Sequence, residues 1–128
     1  MDIDLPEVVA EVPTTFAHHE KALVANDGDI LDALFHRDHR TLRYGATENL
    51  YGHDEIAAFR AARLPADLAR TLSRTAITAY GRDCAVASTL SRRPSAPSKL
   101  GRQMQTCIRL DNGWRIVAAQ ASLMENDG

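Results

Sequence analysis

The chain has 128 residues, 45% hydrophobic and 25% charged, with a formal net charge of −2. That describes one ordinary globular domain, long enough to bury most of a core and too short for two. No run approaches the roughly 18 apolar residues of a membrane span and the acidic start has no signal-peptide pattern, so a cytoplasmic protein free of the membrane is expected.

The small net charge hides an asymmetry. Residues 1–32 hold eight acids and one lysine, whereas residues 60–115 hold ten arginines and one lysine against Asp67, Asp83 and Asp111. The arginines are spread singly, aromatics are few and lysine is scarce, which argues against a nucleic-acid partner. Arginine without lysine suits bidentate pairing with carboxylates, the protein's own or a ligand's. Cys84 and Cys107 lack a CxxC spacing and read as free, small packing residues in a reducing compartment.

In chain order, Asp4-Leu-Pro-Glu7 reads as a capping box with proline in the first turn. Val8, Val12, Phe16 and Leu23 continue one helical stripe to about Ala25, interrupted by a kink at Pro13. Asn26-Asp27-Gly28 ends it. Asp29 to Phe35 forms a second, short helix. Strands are expected over Arg40–Tyr44 and Glu48–Tyr51, joined by a turn around Gly45. A third helix starts after Gly52, with Asp54 and Glu55 placed favourably against its N-terminal dipole. Ile56, Phe59 and Arg63 fall on one of its faces, so Arg63 must snorkel or meet an anion.

From Thr71 the hydrophobic period changes to two. Thr71–Tyr80, Cys84–Arg93, Arg102–Leu110 and Trp114–Met124 read as strands of an antiparallel meander, and Asp111-Asn-Gly113 is a strong hairpin signal. In the last strand Trp114, Ile116, Ala118, Gln120 and Ser122 share one face. Both faces of this strand are largely apolar, while the helices cover one side of a curved sheet. A homodimer packed sheet against sheet is therefore expected.

The segments RTLRYGATENLYG, IAAFRAAR, GRQMQT and GWRIVAAQASLM together resemble the AtzH-like family, across nearly the whole chain. That family comprises small proteins encoded among amidase and ureide-catabolism genes, within the nuclear-transport-factor-2-like (SnoaL-like) superfamily. The resemblance implies an α+β, cystatin-like cone in one domain over residues 1–128: three N-terminal helices on a strongly curved, mostly antiparallel sheet of about six strands. ATENLYG followed by a helix, with Trp114, Gln120 and Ser122 at the end, is more distantly similar to the association domain of the calmodulin-dependent kinase, which encloses a small-anion pocket. Relatives commonly carry histidine where this chain has Gln120, and tryptophan where it has Cys107 and His36.

Enzymes of such cones rest on a buried aspartate or histidine as general base. Here Asp38, Asp54, Asp67, Asp83 and Asp111 read as turn or capping residues. Glu48 stands beside the expected mouth as a solvated loop acid, a base or the partner of a pocket arginine. His36 and His39 have His-x-x-His spacing, but no third ligand follows. They, with His18, His19 and His53, read as solvated or capping, so no metal is expected. There is no phosphate loop and no dinucleotide fingerprint, so no cofactor is expected either.

What remains is a set of arginines and hydrogen-bonding groups: Arg43, Asn49, Tyr51, Arg63, Arg74, Gln120 and Ser122. Each alone reads equally as a surface, salt-bridged or core-satisfied residue. As a group they suggest a cavity that binds a small planar carboxylate or ureide through arginine forks and amide hydrogen bonds, because buried guanidinium groups without internal acids call for an external anion. Two functions fit: a ligand-binding protein or enzyme of amide or ureide nitrogen catabolism, using arginine to stabilise an oxyanion, or a non-catalytic homodimeric partner of an amidase.

Overall fold

The computed structural model describes residues 1–63 and 68–126; Asp67 lies outside them. The elements run α1 (Pro6–Val9), α2 (Val12–Ala25), α3 (Gly28–Leu34), β1 (Leu42–Tyr44), β2 (Asn49–Tyr51), α4 (His53–Ala62), β3 (Thr71–Tyr80), β4 (Cys84–Arg92), β5 (Lys99–Leu110) and β6 (Gly113–Glu125). The strands form one sheet in the order β2-β1-β6-β5-β4-β3. All neighbours are antiparallel except β1 and β6, which run parallel. The expected α+β order of elements is therefore present, with four helical segments in place of three.

The first helix divides because Pro13 takes the start of a new helix, where its missing N–H has no partner to lose. The apolar stripe survives the break, and Val8 and Val12 are both fully buried. The capping box does not form. Leu5 occupies the N-cap of α1 without a side-chain bond. Asp4 sits at φ 55°, donates its N–H to the Ala79 carbonyl, and accepts the Ala79 N–H on its carboxylate, both at 2.9 Å. Ala79 lies on the edge strand β3, whose unpaired backbone groups need partners. The long-range demand wins over the local one. Asp27, read from sequence as part of the stop after the first helix, also caps α3, accepting the Ile30 N–H at 3.2 Å.

Two irregularities bend the sheet. In β5–β6, Cys107 faces Ile116 while Thr106 faces Ala118, which leaves Val117 as an extra residue. The inward face of β6 therefore slips by one. Trp114 and Ile116 point into the core, but Ala119 follows them inward and Gln120 is exposed. The expected single face of Trp114, Ile116, Ala118, Gln120 and Ser122 is broken at its middle. In β3 the register shifts between Ser73 and Ala76, with Arg74 there at φ 51°.

The main core lies at one end of the sheet, where Val8, Phe35, Ile56, Ala79, Ala85, Cys107, Trp114 and Ile116 pack together. Burial of this kind is the principal source of stability. Trp114 also donates its indole N–H to Glu11 at 2.8 Å, so its polar edge is satisfied. No helix of the described residues is long and apolar enough to cross a membrane.

Candidate functional site

Toward the other end of the same strands the space between helices and sheet stays open as a cavity of about 200 Å³. Small and polar residues replace the core side chains. Gly101, Gln103 and Gln105 line it from β5, and Ala119 and Ala121 from β6, while His19, Leu23, Ile56, Phe59 and Arg60 reach it from α2 and α4. The turn between β1 and β2 contributes Ala46 and Glu48.

Six arginines line this space, Arg43, Arg60, Arg63, Arg70, Arg93 and Arg102, with Glu48 as the one carboxylate among the described lining residues. Several are already matched. Arg70 forks onto Glu20 with bonds of 2.8 and 2.6 Å and gives a third to the Gln103 carbonyl at 3.1 Å. Arg60 reaches Asp32 at 2.5 Å and lies over the Phe35 ring, 5.2 Å from its centre. Arg43 meets Glu48 at 2.7 Å. The expectation of a hollow without internal acids is thus corrected for these three. Their acids come from residues distant in sequence or across a hairpin.

Arg63 is different. It follows the last turn of α4 in extended conformation, donates only to the Asn26 side-chain carbonyl, at 3.0 Å, and leaves its Nε buried without a hydrogen-bond partner. Among the described residues no carboxylate pairs with it. Burial lowers its pKa, and the charges of Arg43 and Arg93 lower it further. Arg43, Arg60 and Arg70 are balanced by Glu48, Asp32 and Glu20, and Arg63 adds a charge that no carboxylate among the described residues pairs, which leaves this part of the cavity positive. Such an excess of charge, taken out of water, is stabilised by an anion.

Of the residues singled out from sequence, the structure brings Arg43 and Arg63 to the cavity and leaves Asn49, Tyr51 and Arg74 outside it. The strand alternation explains the first two absences. Leu50 takes the inward position in β2 and is buried, while Asn49 and Tyr51 on either side are exposed. The Tyr51 hydroxyl meets that of Tyr44 at 3.1 Å instead. Arg74 is exposed at its bulge. Gln120 and Ser122 belong to the strand that walls the cavity, but the slip at Val117 turns their side chains to the other face, where Arg102 Nε donates to Ser122 Oγ at 3.2 Å and Gln120 pairs with exposed Met104.

Sequence reading missed Arg60, Arg70, Arg93, His19, Gln103 and Gln105. Arg60 had a visible signal, since it stands four residues after Ile56 on the buried stripe. His19 and His53, read as solvated or capping, are 5% and 4% exposed. His53 Nε2 lies 2.7 Å from the Asp32 carbonyl. His19 Nδ1 is 3.2 Å from the Gln105 amide nitrogen, which can only donate, so this ring nitrogen accepts. Burial, and then the charges of Arg70, Arg60 and Arg43, pull the His19 pKa down to about 3. A neutral imidazole of such weak basicity, with its lone pair engaged, is a poor proton acceptor. For Glu48, burial pushes the carboxyl up, but hydrogen bonds from Thr47 and Arg43 and the Arg43 charge outweigh it and hold the group below its usual range. Cys107 is buried in the core, which raises its thiol to about 11, and it packs rather than reacts. The described lining offers cations and amide donors, not an unengaged base.

A protein of unknown function from Pectobacterium atrosepticum is 53% identical over 97% of this chain and 96% of its own, with a TM-score of 0.94. A cystatin-like fold protein from Burkholderia xenovorans is 42% identical, with 98% of each chain covered and a TM-score of 0.92. A nuclear-transport-factor-2-like superfamily protein from Salmonella enterica shares the fold at 24% identity, covering 96% and 95%, with a TM-score of 0.73. No match was found among curated proteins. The AtzH-like family model matches residues 1–127, and with the cystatin-like architecture these likenesses establish that the chain belongs to the AtzH-like family.

Proposed function

We propose that the cavity binds a small planar carboxylate of the ureide type, as a cytoplasmic protein of amide or ureide nitrogen catabolism. One observation supports the reading: Arg63 lines a positive cavity with no carboxylate partner among the described residues and with a buried donor unpaired. An anionic ligand supplies the missing counter-charge, and a planar one matches the guanidinium fork. The chemistry available to such a ligand is electrostatic. Arginine polarises a carbonyl and stabilises charge developing on its oxygen, with the proton handled by water or by the substrate.

Thermal-shift measurements against oxalurate, carboxylated ureas and simple dicarboxylates, with neutral biuret as the control, test this. A ligand at 100 times its Kd adds about 2.7 kcal/mol of stability. Arg63→Ala is expected to abolish that gain and keep its fold. The absence of a response to every anion, or an undiminished one in Arg63→Ala, overturns the assignment.

A second reading, assembly, draws on the outer face of the sheet. The cross-strand rows Val86–Thr106–Ala118 and Ser88–Met104–Gln120 lie there without a covering helix, and Met104 is 56% exposed. A second copy of the chain is the proposed cover. Light scattering that reports a monomer at micromolar concentration removes the dimer. Co-purification with an amidase, in a protein deaf to small anions, would favour a non-catalytic partner role.

A further inference from the structure

Glu48 is the cavity's one described carboxylate, and its seat is unusual. Oε1 accepts from Arg43 Nη1 at 2.7 Å, while Oε2 accepts from the Thr47 hydroxyl at 2.7 Å and its N–H at 3.2 Å. The carboxylate rests on the backbone of Gly45: a methyl group built there would lie 1.7 Å from Oε1 and 2.3 Å from the carboxyl carbon. Gly45 is not in the left-handed region, so its backbone does not require glycine. The space above it does. The turn is closed by a bond from the Gly45 N–H to the Glu48 carbonyl at 2.9 Å. The hairpin thus folds its own carboxylate back onto Arg43 at the wall of a cavity whose other charges are cationic.

We infer that Glu48 is an internal stand-in for the ligand's carboxylate, and that it sets the anion affinity of the cavity and its preference between singly and doubly charged ligands. The inference rests on the anion-binding reading of the same cavity. An incoming carboxylate competes with Glu48 for Arg43 and is repelled by its charge, and a dianion feels that repulsion twice over. Arg63, which has no such partner among the described residues, takes a first carboxylate without competition. A second carboxylate gains Arg43 only when Glu48 leaves the Gly45 seat, so Glu48 disfavours dianions relative to monoanions.

The consequence has an uncommon sign, because damage to the site strengthens binding. Glu48→Gln removes the competing charge. Gly45→Ala keeps the charge but fills the seat, and the displaced group is the far end of a flexible side chain. Titration calorimetry with malonate as the dianion and oxamate as the monoanion reads both. Glu48→Gln is expected to bind malonate at least tenfold more tightly than the parent chain, with a smaller gain for oxamate of about threefold, following the ratio of ligand charges, and Gly45→Ala, which frees Arg43, is expected to bind malonate more tightly as well. If malonate binds the parent chain and both variants bind it equally or more weakly, Glu48 positions Arg43 rather than competing for it and the inference falls, while the anion site stands. Should neither anion bind the parent chain or either variant, both readings fall. Circular dichroism of the two variants confirms the fold in which these affinities are read.

Discussion

The two ends of β5 and β6 are made of the same paired strands and do opposite things. At one end Cys107, Trp114 and Ile116 close against α1, α3 and α4 as dry core. At the other, Gly101, Gln103, Gln105, Ala119 and Ala121 stand back and leave a cavity. The change falls at the extra residue Val117, where the inward face passes from one set of alternate positions to the other. One inserted residue therefore converts a strand that packs into a strand that leaves room. Along α4, Ile56 sits where core and cavity meet, and Arg60 one turn later belongs to the cavity.

The contrast can be broken most severely at the closed end. Ile116 is fully buried, and Ile116→Ala is expected to cost about 3 to 4 kcal/mol in urea unfolding, because the rigid surroundings cannot collapse into the void. A loss below about 1 kcal/mol would mean that this end is not the close-packed one.

An intermediate effect belongs to His19, at the cavity wall. Its folded pKa of about 3 lies below the unfolded value of 6.5. The unfolded chain therefore binds the proton that the folded chain refuses, and the associated stability, present above about pH 6.5, is lost as pH falls toward 3. Between pH 7 and pH 5 the expected loss is about 2 kcal/mol. His19→Gln should remove that part of the slope and keep whatever other groups contribute. Parallel pH profiles of parent and variant would show a neutral, buried imidazole to be the wrong description.

The smallest effect on stability is expected at the open end. Ala121 lines the cavity opposite Gln103, so Ala121→Leu has space to enter. Its cost should stay within about 1 kcal/mol, while it is expected to remove the thermal shift proposed for oxalurate. A large destabilisation would show the cavity to be narrower in solution than its walls imply.

Much of the fold was legible because it is written locally. The change of period at Thr71, the Asp111-Asn-Gly113 turn and the helix stop at Asn26 each depend on residues a few positions apart. Leu50 hides between Asn49 and Tyr51 by the same strand rule, and a strict alternation through β2 would have excluded both from the site. The rest is non-local. Asp4 is taken by Ala79, Glu20 by Arg70 and Asp32 by Arg60, pairings that no spacing announces. The insertion at Val117 has no sequence marker, since neither glycine nor proline stands there, and it carried Gln120 and Ser122 to the wrong face. Arg63 was legible for a different reason: an arginine seven residues beyond Ile56 conflicts with the stripe it follows. Such a local conflict is the kind of mark by which a candidate site can be read from sequence.

The parallel pairing of Leu42–Tyr44 with Ala118–Gln120 has a consequence for how the molecule comes into being. Contacts of such high sequence separation form late and slowly. As the chain leaves the ribosome, Arg43 and its hairpin emerge long before the strand they lean on. The wall that Ala119 and Ala121 of β6 give the cavity is made after all its other walls. A nascent chain halted before Gly113 would hold helices and a partial sheet, yet no chamber.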